Sequence, residues 1–208
     1  MTMADFTHYH TAVFDCDGVI LNSNKIKSDA FRQALAAEPT ECVDQFIAYH
    51  HAHGGVSRYV KFDYFYTVIY PLPEIQKTIA VANALARYAT IVRAALVHCE
   101  TVPGVLPFLE KLNAIGVRCF VNSGGDQTEL REVFTERGMA HLFQIILGSP
   151  ATKQDNLAYL CEQQFLNKPA VFFGDALSDY QAANAFNMDF IYISGCSEWQ
   201  GGKVFCES

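Results

Sequence analysis

Asp15 and Asp17 stand one residue apart, with Gly18 directly after them and the apolar run Thr11–Phe14 directly before. A spacing of two puts both carboxylates on one side of an extended segment and turns Cys16 away. The apolar run reads as a strand covered on both faces of a parallel sheet. Carboxylates are disfavoured inside such a sheet, so the pair is expected at its C-terminal edge, where open α/β folds bind ligands. Two carboxylates aimed into one crevice repel each other unless a cation or a shared proton relieves them. Gly18 lets the chain turn tightly out of the strand. Taken alone, the pair fits an acidic surface turn as well as an active centre.

Three further stretches complement it. Ser123-Gly124-Gly125 follows an apolar run, Lys153 opens a helical pattern, and Gly174-Asp175 ends another apolar run with Asp179 four residues on. Singly, each reads as a turn or a solvated helix residue. Together, at the ends of successive strands of one parallel sheet, they form a matched set. Asp15, Asp175 and Asp179, with the backbone around Asp17, can hold a hard divalent cation, and ligation by oxygen alone favours Mg²⁺ over zinc. The Ser123 hydroxyl, the amides of Gly124 and Gly125, and Lys153 can hold the oxygens of a phosphoryl group. One aspartate can then attack phosphorus while another handles protons.

The elements that position these groups are legible as alternating patterns. Strands are expected at residues 11–14, 117–121, 143–147, 170–173 and 190–193. Helices are expected between and after them at 105–115, 126–137, 152–165 and 178–186. This alternation predicts an α/β fold, a doubly wound parallel sheet with helices on both faces. Residues 23–99 read differently, as four consecutive helices at 24–37, 41–53, 57–70 and 74–99. Ser23 or Asn24 is expected to cap the first of them, and Ser57 the third. The third is expected to bury Val60, Tyr64, Val68 and Ile69, and the cluster Phe62, Tyr64, Phe65, Tyr66 and Tyr70 to form core. The division is therefore an α/β core domain of residues 1–21 and 100–208 with a helical domain, 22–99, inserted after the first strand. The crossings near residues 21–24 and 100–102 are suited to a hinge.

Composition bounds the rest. The 208 residues are half apolar, as in a globular chain, and the net charge of −7 argues against general nucleic-acid binding. Met1 to His10 is polar and does not read as a signal peptide. No apolar run reaches the roughly 18 residues that span a bilayer, so no membrane partner is expected. The seven cysteines, Cys206 among them, are scattered without a C-x-x-C spacing, which favours reduced thiols in a cytoplasmic protein.

The motif set resembles the haloacid dehalogenase superfamily, in the branch with a helical cap inserted after the first strand. The residues that carry the resemblance are Ala12-Val13-Phe14-Asp15-Cys16-Asp17-Gly18, the run Phe120-Val121-Asn122-Ser123, Lys153, and Gly174-Asp175-Ala176-Leu177-Ser178-Asp179. The resemblance implies that Asp15 is a nucleophile forming an aspartyl-phosphate and Asp17 a general acid/base. It implies that Ser123 binds the phosphoryl group and Lys153 neutralises charge. Mg²⁺ would be held by Asp15, the Asp17 carbonyl and Asp175, with Asp179 acting through water or Lys153. Many relatives carry K-P-x-P at the lysine, whereas this chain has Lys153-Gln154-Asp155-Asn156. Relatives that cleave carbon–halogen or phosphonate bonds lack the second aspartate, so Asp17 points to phosphate esters.

The expected activity is hydrolysis of a small soluble phosphomonoester. A phosphomutase of the β-phosphoglucomutase type is the alternative, and a silent binding protein a third reading. Substrate choice is expected in the helical insertion, around Gly54-Gly55. Arg58 and Lys61 are three apart and suited to a second anionic group on the substrate. His50, His51 and His53 suggest a metal less than a substrate contact, because adjacent helical residues point apart and a helix C-terminus favours histidine by its dipole. The oligomeric state is not legible.

Overall fold

The computed structural model describes residues 6–205; residues 1–5 of the polar start and Cys206 lie outside them. Five parallel strands, β1 (Thr11–Phe14), β2 (Arg118–Asp126), β3 (Ile145–Ser149), β4 (Ala170–Gly174) and β5 (Asp189–Tyr192), form one sheet in the order β3-β2-β1-β4-β5. The strand that precedes Asp15, β1, lies at the centre. Phe14 pairs with Val121 on one side and Phe173 on the other, so the residues that follow each emerge level at one edge.

Side chains alternate between the two faces, as the period of two demands. Val13, Phe120 and Phe172 face α7 (Lys153–Glu162) and α8 (Leu177–Ala185), whose Leu157, Leu160, Ala182 and Ala183 cover them. Ala12, Phe14, Val121 and Phe173 belong to the opposite core with α5 (Val105–Ala114) and α6 (Gln127–Glu136). Burial on both faces is why these strands read as unbroken apolar runs.

Between β1 and α5 the chain is helical throughout: α1 (Asn24–Ala34), α2 (Thr40–Ala52), α3 (Arg58–Tyr64), a π-helical turn at Phe65–Ile69, and α4 (Glu74–His98). The two crossings to this block run side by side. Asn22 N donates to Glu100 O and Val102 N to Ile20 O, both at 2.9 Å. An aromatic cluster holds the block together, with Phe46 fully buried 5.3 Å from Phe31, 6.0 Å from Phe62 and 5.4 Å from Phe65, centroid to centroid.

Two expectations are corrected here. Val60 and Val68 are exposed, and the buried face of α3 and the turn after it carries Arg58, Lys61, Phe62, Phe65 and Tyr66 instead. The polar pair turns inward because partners await it there, which apolar periodicity cannot register. And α4, with 25 residues, is long and apolar enough to meet the length and composition of a membrane span, contrary to the reading of the sequence. In the fold it lies against α1 and α3 with Ala84, Tyr88, Val92 and Leu96 buried, while Ile75 and Ile79 are exposed.

Replacing a fully buried aromatic leaves a cavity, so Phe46→Ala should lower unfolding free energy by about 3–5 kcal/mol in urea titrations. A loss below about 1 kcal/mol would show that this cluster is not what holds the helical block together.

Candidate active site

Asp15 is the first residue past β1, anchored by its own N–H donating to Phe173 O at 2.9 Å, and its carboxyl is buried. Gly18 makes the turn that follows at φ +73°. A Cβ at that position would lie 2.2 Å from Asp175 Oδ2, so only glycine lets the loop pass the acidic cluster. Lys153, at the start of α7, reaches both Asp15, with Nζ 3.1 Å from Oδ1, and Asp179. That contact with Asp15 is out of hydrogen-bond alignment, and the buried Oδ1 has no hydrogen-bond partner. Asp179, fully buried in the first turn of α8, spends its other oxygen on the amides of Asp175 and Ala176. Asp175 Oδ2 accepts from Asn24 Nδ2 at 2.7 Å.

The cluster therefore gathers three buried carboxylates around one lysine. Burial pushes Asp15 up to about 7, with Asp179 and Asp17 adding to it against the pull of Lys153. Burial likewise pushes Asp175 up to about 9, with Asp15 and Asp179 adding. Such shifts mark negative charge in want of a cation. Oxygens of Asp15, Asp175 and Asp179 lie within 4.8 Å of one another. This all-oxygen set, with an orphaned oxygen on Asp15, fits one Mg²⁺, whose ligands sit at about 2.0–2.1 Å.

Asp17 is held differently. Lys27 Nζ stands 2.5 Å from Oδ2, and the Ser23 hydroxyl donates to Oδ1 at 2.6 Å. Burial would raise Asp17, but Lys27 and Ser23 overcome it and hold the carboxyl below the usual range. The two aspartates of the pair are thus driven apart in character, the arrangement that separates acid and base roles.

Ser23 and Asn24 do not cap α1 with their side chains, as the sequence suggested; they serve Asp17 and Asp175. Ser57 does cap α3, its hydroxyl accepting from Val60 N. Lys27 was not legible as a site residue. Its signal lay in Asn24, Lys27, Ser28 and Phe31, spaced i, i+3, i+4 and i+7, the stripe a helix turns inward.

A cavity of about 80 Å³ opens between this edge and the helical block, lined by Asp15, Asp17, Gly124, Gly125 and Asp175 from below and by Lys27, His50, Arg58 and Lys61 from above. Ser123, Lys153 and Asp179 are buried without lining it. The Ser123 hydroxyl accepts from Gly125 N at 3.0 Å. The Gly54-Gly55 loop closes over the edge: Ser178 Oγ donates to Gly54 O at 3.0 Å, and a Cβ on Gly124 would lie 2.1 Å from Gly55 O.

The two cations expected to meet a second anion part company. Arg58 is committed to Glu129 of α6 through two bonds of 2.8 and 3.0 Å. Lys61 Nζ instead donates to His50 Nδ1 at 2.7 Å. His50 and His51 do not point apart: the Nε2 atoms of both approach Ser28 Oγ, at 3.0 and 3.3 Å. His53 caps its own helix end by bonding Tyr49 O and is exposed.

Residues 12–193 match the family model described as haloacid dehalogenase-like hydrolase, and the chain belongs to that family. Among solved structures, a protein described as a predicted phosphoglycolate phosphatase from Haemophilus somnus superposes with a TM-score of 0.68 at 21% identity, over 96% of this chain and 94% of that one. Protein tyrosine kinase A of Mycobacterium tuberculosis gives 0.66 at 22%, covering 89% and 83%. A β-phosphoglucomutase from Clostridium difficile gives 0.66 at 16%, covering 88% and 84%. At these identities the likeness shows the fold alone. A comparison with curated proteins finds no match.

The raised carboxyls fix a pH dependence. Their folded pKa values exceed the unfolded ones, so in metal-free protein their contribution to stability is full below about pH 4 and is lost as pH rises through about 7 and 9. A cation must displace those protons, so Mg²⁺ should raise Tm more at about pH 8 than at about pH 6. An equal shift at both, or a shift that persists in Asp175→Asn, would contradict a site built on this cluster.

Proposed function

We propose that this haloacid dehalogenase-like hydrolase is a Mg²⁺-dependent phosphatase of small phosphomonoesters, with Asp15 as nucleophile. The observation that carries the reading is the Asp15 carboxyl: buried, one oxygen without a hydrogen bond, at a strand edge lining the cavity.

In the first half-reaction an Asp15 oxygen forms a bond to phosphorus while the bond to the substrate's alcohol oxygen breaks. The proton that oxygen requires is held within the cluster of Asp17, Lys27 and Ser23. In the second, water attacks phosphorus, gives a proton to Asp17, and breaks the bond to Asp15. The Ser123 hydroxyl, positioned by the Gly125 N–H that donates to it, and the Gly124 amide hold the phosphoryl oxygens. Lys153, itself anchored by Asp179, balances the charge on Asp15. Asp15, the Asp17 carbonyl and Asp175 would hold Mg²⁺, which when bound neutralises charge on the transferring group.

The helical block, residues 22–99, acts as the cap domain over a core of 1–21 and 100–208. Its Gly54-Gly55 loop excludes bulk water from the cavity, which strengthens every charge interaction inside. The cavity, about 80 Å³, supports a small ester. We place the activity in the cytoplasm: the six cysteines among the described residues are all unpaired, as a reducing compartment keeps them.

A panel of small phosphorylated metabolites with Mg²⁺ tests the reading by released phosphate. Chelation should abolish release and Mg²⁺ restore it. Asp15→Asn should reduce release below detection, and Asp17→Asn should slow it by about 10²–10⁴-fold. Release that survives in Asp15→Asn contradicts the nucleophile. Conversion of a hexose 1-phosphate to the 6-phosphate without free phosphate would make the enzyme a mutase.

A further inference from the structure

We infer that Arg58 and Tyr59 are positioning residues: by gripping the first turn of α6 they hold the turn at Ser123, Gly124 and Gly125 in place against the Gly54-Gly55 loop. The inference rests on the phosphatase reading for what that turn binds.

The sheet does little to fix the turn. Strands β2 and β3 pair at Asn122 with Leu147 and again at Asp126 with Ser149, four residues on one strand against two on the other, so the chain between bulges out of the ladder. Within the bulge the Ser123 hydroxyl accepts from Gly125 N at 3.0 Å, a bond that sets its shape and not its place. Its place depends on α6, which begins directly after it.

Two consecutive residues of the helical block meet that helix. The Asp126 carboxylate caps α6, one oxygen accepting from Glu129 N at 2.8 Å and the other from the Tyr59 hydroxyl at 2.7 Å. One turn on, Glu129 accepts two parallel bonds from Arg58, whose guanidinium lies 5.2 Å from the ring centre of the buried Tyr88. Arg58 and Tyr59 open α3 just past the Gly54-Gly55 loop, as Asp126 and Glu129 stand in the first turn of α6 just past Gly125. The clasp therefore joins the two loops at their roots, and between them Gly124 passes Gly55 O with no room for a side chain.

Docking alone does not call for a buried pair here. Arg137, at the end of α6, donates to Leu96 O and Val97 O of α4 at 2.7 and 2.9 Å, and Arg93 of α4 meets Glu132 and Glu136 in exposed pairs. Those contacts fasten the block to the far end of α6. The side chains of Arg58 and Glu129 are 6% and 8% exposed, and taking two charges out of water offsets much of their attraction. Such a pair contributes geometry more than stability. Both residues line the cavity, so the rival role for Arg58 is to bind a substrate anion itself.

The test is the competitive inhibition constant of inorganic phosphate in the Mg²⁺-loaded enzyme, because phosphate fills the phosphoryl site without an alcohol half. Glu129→Gln should slacken the clasp and weaken phosphate by about tenfold, the size of one hydrogen bond to a charged group. If Arg58 were a substrate ligand, the same change would free it and tighten phosphate; tighter or unchanged inhibition overturns the inference. Tyr59→Phe should weaken phosphate in the same direction with little change in Tm, since it removes one hydroxyl from a side chain 36% exposed. A lowered Tm with the inhibition constant unmoved would make the contact merely structural. Should Glu129→Gln not fold, Arg58→Met combined with Glu129→Leu removes both charges together; unimpaired phosphate inhibition in that pair overturns the inference too. If no ester is hydrolysed, the phosphatase reading fails, and hydrogen exchange of the Gly125 amide still decides the clasp. Tyr59→Phe should speed that exchange by about tenfold, and an unchanged rate overturns it.

Discussion

Three carboxylates and a single lysine share a buried space at the end of the central strand, and the excess negative charge there is the constraint that shapes the molecule. Asp15, Asp175 and Asp179 are all buried, and Lys153 touches two of them. Unrelieved, the charge works against folding, which is why Asp15 and Asp175 hold their protons so far above the usual carboxylate range. The same imbalance suits the site to a dication and to the transfer of an anionic group. Stability and chemistry therefore pull in opposite directions at this edge. The extensive two-faced core behind it, with Phe14 stacked 4.5 Å from Phe173, supplies the stability.

The helical block answers that charge with cations of its own. Lys27 reaches down from α1 to Asp17, Asn24 to Asp175, and Arg58 crosses to Glu129. These contacts tie the block to the sheet edge around the cavity. The loop at Gly55 lies directly against Gly124, close enough that a Cβ there would meet Gly55 O. Two adjacent crossings, tied by Asn22 N to Glu100 O and Val102 N to Ile20 O, join the block to the sheet.

The sheet was legible because its strands are short apolar runs, three of them followed by candidate site residues: Phe14 before Asp15, Val121 ahead of Ser123, Gly174 before Asp175. Parallel pairing puts those ends on one edge; the order β3-β2-β1-β4-β5 was not legible, because it depends on which strands pair across long stretches of chain. Nor was the inward side of the helical block. Lys27, Ser28, Arg58 and Lys61 are polar residues at buried positions, and hydrophobic periodicity assigns such residues to solvent. Val60 and Val68 were assigned to core for the converse reason and are exposed. Partners far away in sequence decide these cases, as Arg58 with Glu129 illustrates. Capping rules failed at Ser23 for a related cause, because its hydroxyl found a charged acceptor in Asp17.

The nucleophilic role of Asp15 is most directly tested by a single turnover in heavy-oxygen water, with enzyme in excess over a hydrolysed phosphomonoester, followed by mass spectrometry of the Asp15 peptide and of the phosphate. Attack by Asp15 places the phosphoryl group on a carboxylate oxygen; water then attacks phosphorus, so the phosphate gains one solvent oxygen and Asp15 keeps both of its own. A first-turnover phosphate carrying one solvent oxygen from that step, with the phosphorylated Asp15 peptide trapped by acid quench, is the predicted result. A labelled phosphate formed at full rate with no trapped phosphopeptide, and undiminished in Asp15→Asn, would show that water attacks the ester directly.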